Sequence, residues 1–199
     1  MPQILKAEIK QKILDSALDS FLEYGYRSAS MQQIAEKAGI ATGNIYNYFQ
    51  SKEEIFAMLV SPVVARIKEI FGPFVNGLPM FVGENRMSIA ERKMDEFIKV
   101  YRSHRRVFEL VFEKSGSTRF ETMREDVIRS MADAVIRMKS ALTPSPATPE
   151  QEVLINAYVT AYINGIISIL VAKIDEELKL DALQKFLPFM RSKLVESLQ

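Results

Sequence analysis

The chain has 199 residues, of which 48% are hydrophobic and 26% charged, a composition that suits one packed domain, or two small ones, and excludes global disorder. It has no cysteine and one histidine, His104, which excludes disulfides, thiolate catalysis, cysteine zinc sites and a two-histidine metal cage. The net charge is +1, so any contact with nucleic acid has to come from a small local surface.

The sequence predicts an all-α chain. Apolar residues at spacings of four and three mark a first helix over about residues 4–24, and Gly25 follows at the position of a left-handed C-cap. Further helices are indicated by capping boxes, in which a hydroxyl side chain and a Glu or Gln three residues later satisfy free backbone N–H groups. The pairs are Ser30–Gln33, Ser51–Glu54, Ser88–Glu91, Thr118–Glu121 and Thr148–Gln151, with Asp181–Gln184 as a weaker start. No segment alternates with the period of a strand, so we expect about nine helices and no sheet.

Residues 30–49 predict a helix-turn-helix. A short apolar helix ends at Gly39, whose freedom at positive φ suits a tight turn, and a second short helix begins near Thr42. The second helix is expected to bury Ile45 and Phe49. It then exposes a small polar set: Gly43, Asn44, Asn47 and Tyr48.

This polar set suits duplex DNA. Asparagine can pair with N6 and N7 of adenine in the major groove, so Asn44 and Asn47 are candidates for base contacts. The Tyr48 hydroxyl and the Lys52 ammonium suit phosphate oxygens, and no acidic residue lies between residues 37 and 52. A helical hairpin with an ordinary polar surface is the alternative.

The motif is also recognisable as a whole. Residues 34–56 read Ile-Ala-Glu-Lys-Ala-Gly-Ile-Ala-Thr-Gly-Asn-Ile-Tyr-Asn-Tyr-Phe-Gln-Ser-Lys-Glu-Glu-Ile-Phe, which resembles the DNA-binding domain of the TetR family of bacterial transcriptional regulators. The resemblance covers about residues 8–60, and its Tyr-x-Tyr-Phe-x-Ser-Lys-Glu core is specific. Ala41 stands where the family usually has a serine that caps the recognition helix, and Thr42 is the alternative cap.

The resemblance implies a three-helix DNA-binding domain over residues 1–50, a connecting helix over 51–72, and a helical ligand-binding and dimerisation domain over 73–199. It assigns base edges to Asn44 and Asn47, and phosphates to the tyrosines and the lysine. The positions that commonly contact operator DNA are Gln32, Gln33, Thr42, Gly43, Asn44, Tyr46, Asn47, Tyr48 and Lys52.

Pro62 interrupts the apolar stripe of the connecting helix. A proline at this position clashes with the carbonyl of Met58 and is expected to kink or break the helix. In the family this helix joins the DNA-reading head to the ligand-binding body, so Ser61-Pro62 is a candidate bend for transmitting the ligand state.

The region beyond residue 60 has no specific motif, but Phe and Met residues follow the inward stripes of successive helices. Such side chains suit an adaptable apolar cavity as well as an ordinary core. On the family resemblance we expect a small apolar or aromatic ligand, and no cofactor or metal. The candidate ligand-binding residues are Phe97, Tyr101, Phe108, Phe112, Met123, Met131, Asn156 and Thr160.

Residues 153–172 carry no charge and are long enough to span a bilayer. Polar residues in this segment are costly in lipid, so we expect a soluble cytoplasmic protein without a membrane partner. One face is too apolar to be left in water, and with the last helix, which Pro188 should kink, it resembles the four-helix dimer interface of the family. The candidate interface residues are Ile155, Val159, Ile163, Ile166, Leu170, Leu183, Leu187, Met190 and Leu194.

Together these features predict a homodimeric, ligand-responsive DNA-binding regulator, by default a repressor that an effector releases from its operator. One alternative is a DNA-binding factor of the same fold that bridges DNA to another protein without a small ligand. A membrane-anchored regulator is a second alternative. An enzyme is disfavoured, because one histidine and no cysteine leave few possible catalytic sets.

Overall fold

A computed structural model describes residues 3–75, 84–142 and 145–196. Within these ranges every regular element is a helix, which confirms the prediction of an all-α chain. The helices are α1 (Gln3–Ser28), α2 (Met31–Lys37), α3 (Thr42–Ile45), α4 (Lys52–Val75), α5 (Glu84–Ser103), α6 (Arg105–Glu113), α7 (Met123–Leu142), α8 (Pro149–Val171) and α9 (Glu176–Glu196).

The chain divides into two compact units, with one division inside α4. Unit 1 comprises the chain up to Lys68 together with Ile98–Glu121, and unit 2 comprises Glu69–Phe97 and the chain from Thr122 onward. The resemblance predicts a second domain over residues 73–199. In the structure, α6 and its flanking residues instead group with the helix-turn-helix, because α6 packs on α1.

The core of unit 1 is built on the apolar stripe of α1. Ile13, Ala17 and Phe21 are fully buried, as the spacing of four predicts. At the end of the stripe lies an aromatic cluster, which consists of Phe21, Tyr26, Phe56 and Phe120. The ring centroid of Phe56 lies 5.5 Å from that of Phe21, 5.1 Å from that of Tyr26 and 5.8 Å from that of Phe120.

The last turn of α1 changes direction at Gly25. Gly25 has φ +76° and ψ 159°, which is not helical, so α1 is kinked here and helical residues resume up to Ser28. The positive φ expected at Gly25 is confirmed, but the left-handed helical cap is not, because ψ lies in the extended range. The Tyr26 N–H donates to the carbonyl of Lys114 at 3.3 Å, just beyond α6. The Arg27 guanidinium donates to the Ser117 hydroxyl from Nε at 3.0 Å and from Nη2 at 2.6 Å. The segment after α6 is therefore fastened to the end of α1.

Three of the capping signals are confirmed. Ser30–Gln33 and Thr148–Gln151 form complete capping boxes at the starts of α2 and α8. The Ser51 hydroxyl accepts from the Glu54 N–H at 3.1 Å, and the Glu54 carboxylate accepts from the Gln50 N–H at 2.6 Å. These pairs form because the N–H groups of a first helical turn, which have no partner within the helix, lie directly beside them.

The other three signals are wrong. α5 already begins at Glu84, before Ser88, and α9 begins at Glu176, where the Asp175 carboxylate accepts from the Glu177 N–H at 2.8 Å. Thr118 lies in a turn rather than at a helix start, and α7 begins only at Met123.

The reason is clearest for Thr118–Glu121. The Glu121 carboxylate accepts from the N–H of Ser117 at 2.8 Å, not from that of Thr118, and the Thr118 hydroxyl accepts from the Phe120 N–H at 3.1 Å. Ser117 has φ +69°, an uncommon conformation for a residue other than glycine. The same residue types therefore close a turn in place of starting a helix.

Both helices that contain an internal proline continue through it. α4 is helical from Lys52 to Val75 and α9 from Glu176 to Glu196, so a break at Pro62 is excluded. A bend at Pro62 that transmits a ligand state, and the kink expected at Pro188, stay predictions.

In unit 2, α8 packs against α7 and α9. The apolar stripe of α8 that the sequence assigned to the dimer interface is buried inside the chain: Ile155, Val159, Ile163, Ile166 and Leu170, together with Leu183 of α9. The assignment of this stripe to a dimer is therefore corrected, because neighbouring helices of the same chain already cover it. Leu187 and Met190 are half-buried, and the Leu194 side chain lies outside the described residues.

By length and composition alone, α8 could cross a membrane. The core helix of a soluble protein passes the same test; α8 buries one apolar stripe within the chain, and 28% of its most apolar window is buried. Large apolar side chains of α8 and α9 remain exposed elsewhere: Val153, Leu154, Leu178 and Phe189.

Candidate nucleic-acid interface

The turn between α2 and α3 has the geometry that the sequence predicts. Gly39 adopts φ +65°, and its N–H donates to the Glu36 carbonyl at 2.9 Å. The Ile40 N–H donates to the Ala35 carbonyl at 3.0 Å, which closes the end of α2. α3 starts three residues after Gly39, so two short helices are joined by a tight turn.

α3 is one turn long and continues as tighter turns. Ala41 is its N-cap and provides no side-chain hydrogen bond, so Thr42 is the first helical residue and not the cap. The N–H groups of Asn47 and Tyr48 donate to the carbonyls three residues before them, at 3.1 and 3.0 Å. We call residues 42–48 the recognition segment.

The recognition segment has one buried and one exposed side. Ile45 and the following Phe49 are buried and fix the segment to the domain. The residues predicted to meet DNA lie on the other side: Thr42, Gly43, Asn44, Tyr46 and Asn47 are exposed and Tyr48 is half-buried. A Cβ atom added at Gly43 would meet nothing within 4 Å, so the outer surface is open at this point.

Gln32 and Gln33, the two glutamines of α2, differ in the side-chain groups with which they can contact DNA. Both are exposed, but the Gln33 side-chain oxygen accepts from the backbone N–H of Ser30 at 2.8 Å and from its hydroxyl at 3.0 Å. This oxygen is therefore used by the capping box, and the Gln33 amide N–H groups are what remain for a contact with DNA.

Lys52 makes internal contacts that could not be predicted from the sequence. Its Nζ donates to the carbonyls of Tyr26 at 2.7 Å, Ala29 at 2.7 Å and Arg27 at 3.2 Å. The same atom lies 4.5 Å from the centre of the Tyr26 ring. Burial lowers the pKa of Lys52. The phosphate contact assigned to Lys52 by resemblance stays a prediction.

Basic residues of α1 also border the domain. The Lys10 ammonium lies 5.4 Å from the centre of the Phe49 ring, and the Lys12 ammonium lies 3.4 Å from the point where a Cβ of Gly39 would be. Neither residue is among the contacts predicted from sequence. For Lys10, its spacing of four from Lys6 on α1 was an available signal.

The candidate ligand-binding residues are divided between the two units. Tyr101, Phe108 and Phe112 belong to unit 1, where centroids of successive rings lie 5.4 and 6.1 Å apart. The others belong to unit 2: Phe97 and Met131 are buried, Met123 and Thr160 are half-buried, and Asn156 is exposed. The Asn156 amide donates to the Glu152 carbonyl on its own helix at 2.8 Å.

The geometry of α2, the Gly39 turn and α3 defines a helix-turn-helix domain. Residues 13–59 match the model of the bacterial regulatory proteins of the tetR family. This match agrees with the resemblance to the TetR family that the motif predicted for the domain.

Curated relatives support the assignment over part of their length. The chain is 30% identical over 93 residues to the transcriptional regulator YdgC of Bacillus subtilis, covering 46% of this chain and 48% of YdgC. It is 33% identical over 81 residues to the transcriptional repressor AcnR of Corynebacterium diphtheriae, covering 39% of this chain and 42% of AcnR. The matches thus span less than half the length of these relatives.

Solved structures extend the similarity in fold to the C-terminal helices. A TetR-like regulator from Rhodococcus sp. RHA1 has a TM-score of 0.60 at 21% identity, covering 100% of this chain and 98% of that chain. The Pseudomonas aeruginosa repressor MexZ has a TM-score of 0.58 at 22% identity, covering 96% and 95%. At these identities the similarity concerns the fold alone. The similar proteins named here are transcriptional regulators.

Proposed function

We propose that this protein is a cytoplasmic transcriptional regulator, by default a repressor, that binds an operator in double-stranded DNA through the recognition segment. The observation that carries the proposal is the two-sided packing of this segment. Ile45 and Phe49 hold it from inside, while its polar residues face outward, and no acidic residue lies between residues 37 and 52 of the sequence. A side chain that is exposed and held by a fixed backbone can read base edges in the major groove.

The proposed contacts divide by chemistry. Asn44 and Asn47 read base edges, because their amides carry both a donor and an acceptor. Tyr46 and Tyr48 bind phosphates through their hydroxyls. Further contacts come from the exposed residues around them: Gln32, Gln33, Thr42 and Gly43.

Asn47→Ala is expected to relax the base preference at one operator position, at a cost of about 1–3 kcal/mol on the preferred duplex. Binding to a scrambled duplex should stay unchanged, since no phosphate contact is removed. Gel-shift titrations against a duplex selected from a randomised library, and against a scrambled duplex, measure both affinities. Asn47 is exposed, so the substitution should change stability by less than about 0.5 kcal/mol.

Gln184→Ala is the matched control, because Gln184 is an exposed amide side chain of α9, outside the helix-turn-helix. It should bind both duplexes as the unmodified protein does. An equal loss on both duplexes for Asn47→Ala would remove its proposed role in reading bases. Failure of the unmodified protein to prefer any duplex would refute the proposed function as a whole.

We further propose that the protein acts as a homodimer. TetR-family regulators bind operator DNA and are usually dimeric, and two heads can read half-sites about 34–36 Å apart or a multiple of that distance. Since the stripe from Ile155 to Leu170 is buried within the chain, the face available to a second copy is the exposed apolar one. Val153 and Phe189 are 68% and 62% exposed, which is unusual for side chains of this size.

Phe189→Glu is expected to weaken the dimer at least about tenfold, because a charge in an apolar interface loses its hydration without gaining a partner. Sedimentation equilibrium over a range of protein concentrations measures the dissociation constant. Gln184→Glu adds the same charge at another exposed position of α9 and should leave the dimer intact. A dimer of unchanged strength in Phe189→Glu would place the interface elsewhere.

The proposed trigger is a small apolar or aromatic effector that lowers DNA affinity through a coupling of about 1–3 kcal/mol. The support is the family resemblance and the apolar, Met- and Phe-rich composition of the helices after α4. The alternative is a factor of the same fold that bridges DNA to another protein. A gel-shift with a panel of compounds separates the two, since only the first loses its DNA on addition of a compound.

A further inference from the structure

Lys52 lies at the end of the recognition segment and contacts the connection between α1 and α2. It is the first residue of α4, and the buried Phe49 lies three residues before it. Its three carbonyl partners belong to Tyr26, Arg27 and Ala29, beyond the positive-φ residue Gly25. One side chain thereby connects parts of the chain that are 23 to 26 positions apart in the sequence.

The contacts use the full capacity of the ammonium group. A lysine has three N–H donors, and Lys52 has three carbonyl acceptors within 3.2 Å. Carbonyls at the end of a helix lack partners within it and carry partial negative charge, so they suit a cation. With all three donors used, the ammonium has none left for a phosphate oxygen in this conformation.

The same helix face carries a second contact with Tyr26. Phe56 follows Lys52 by four residues and so lies on the same side of α4. Its ring centroid is 5.1 Å from that of Tyr26, while the Lys52 ammonium is 4.5 Å from it. One polar and one apolar contact therefore fix the start of α4 against the same residue.

We propose that Lys52 is a positioning residue that sets DNA specificity by holding the C-terminal end of the recognition segment, rather than by contacting phosphate. α3 is only four residues long and cannot fix its own direction. Its beginning is held by the Gly39 turn, and its end by Phe49 and the start of α4. Moving the start of α4 therefore shifts Asn44 and Asn47 together. This inference rests on the proposed function.

The test compares Lys52→Arg and Lys52→Met with the unmodified protein. Each is titrated, over a series of salt concentrations, against the library-selected duplex and the scrambled duplex, at a temperature where circular dichroism shows the protein to be folded. Arginine keeps the charge, but its planar guanidinium cannot direct donors to three carbonyls as an ammonium does. Lys185→Met removes an exposed cation of α9 and serves as the control for charge loss.

Both Lys52 variants are expected to lose about tenfold in affinity for the selected duplex and less than about twofold for the scrambled one, with the salt slope unchanged. A phosphate contact predicts a different pattern: full activity in Lys52→Arg, and in Lys52→Met an equal loss on both duplexes with a slope lower by about 1. That pattern, or unchanged affinities in both variants, overturns the inference. A purely structural role would lower thermal stability without altering the ratio of the two affinities, and that result would overturn it too.

Failure of this inference and failure of the proposed function can be distinguished. If the unmodified protein prefers no duplex, the proposed function fails, whatever Lys52 does. If it prefers the selected duplex and Lys52→Arg keeps that preference in full, only the positioning role fails. Should Lys52→Met not fold, the charge-preserving Lys52→Arg still decides between the two patterns.

Discussion

Phe56→Ala is expected to lower the free energy of unfolding of unit 1 by about 3–5 kcal/mol, the usual cost of removing a buried phenylalanine ring. Phe56 is 1% exposed, and its ring lies within 6 Å of the rings of Phe21, Tyr26 and Phe120. The loss has two parts, the transfer of the ring to water and the cavity left among three aromatic rings that cannot all move inward.

Urea denaturation followed by circular dichroism at 222 nm is the measurement, because the chain has no tryptophan to report unfolding by fluorescence. Phe56→Leu is the control: it keeps most of the volume and should cost clearly less. The chain has two compact units, so the curve is to be fitted with two transitions, and the transition of unit 1 should move to lower urea. A loss below about 1 kcal/mol would show that the aromatic cluster rearranges to fill the space.

The helix-turn-helix could be predicted from sequence because its signals are local. The Ser30–Gln33 box and Gly39 act on backbone groups within a few residues of themselves, and both adopt the expected geometry. The apolar periodicity also indicates which side of each helix faces the core, and Ile45 and Phe49 are buried as predicted. The direction in which the polar residues face follows from these two facts.

A local sequence signal is ambiguous where the same residues at the same spacing can form more than one local structure. Thr118 and Glu121 have the spacing of a capping box, yet their side chains satisfy N–H groups within a turn. The sequence contains no indication that Arg27, ninety positions before Ser117, holds this turn with its guanidinium. Which of two local structures forms is therefore decided by a distant partner.

The apolar stripe of α8 shows a second limit. Periodicity establishes that the side with Ile155 and Val159 has to be covered, but it does not say by what. α7 and α9 cover it in the structure, so the partner is the same chain and not a second copy. The three carbonyl partners of Lys52 could not be found from sequence for the same reason, since backbone groups carry no sequence signature.

Gly165→Ala is expected to destabilise unit 2 by about 1–3 kcal/mol through overpacking. A Cβ atom on Gly165 would lie 2.8 Å from Cε1 and Cε2 of Phe186 and closer still to Cζ, distances at which one of the two helices or the ring has to move. The Phe186 ring also stacks on that of Tyr162, with centroids 6.2 Å apart. Glycine at 165 therefore lets α9 approach α8 closely.

The half-buried state of Phe186 limits the cost, because its ring can rotate toward solvent at the price of its burial and its stacking on Tyr162. A double-mutant cycle with Phe186→Leu, followed by urea denaturation, tests this account. The two substitutions together should cost less than the sum of the two alone, by about 0.5–3 kcal/mol, since leucine removes the ring that clashes.

Gly43→Ala controls for the intrinsic effect of the substitution. Gly43 is also helical, but a Cβ there meets nothing within 4 Å, so the expected change in stability is a gain of up to about 1 kcal/mol from helix propensity. Opposite signs at the two glycines would assign the loss at 165 to the clash with Phe186. If Gly165→Ala raised stability as well, α8 and α9 would have to separate at little cost, and their close packing would not be a source of stability for unit 2.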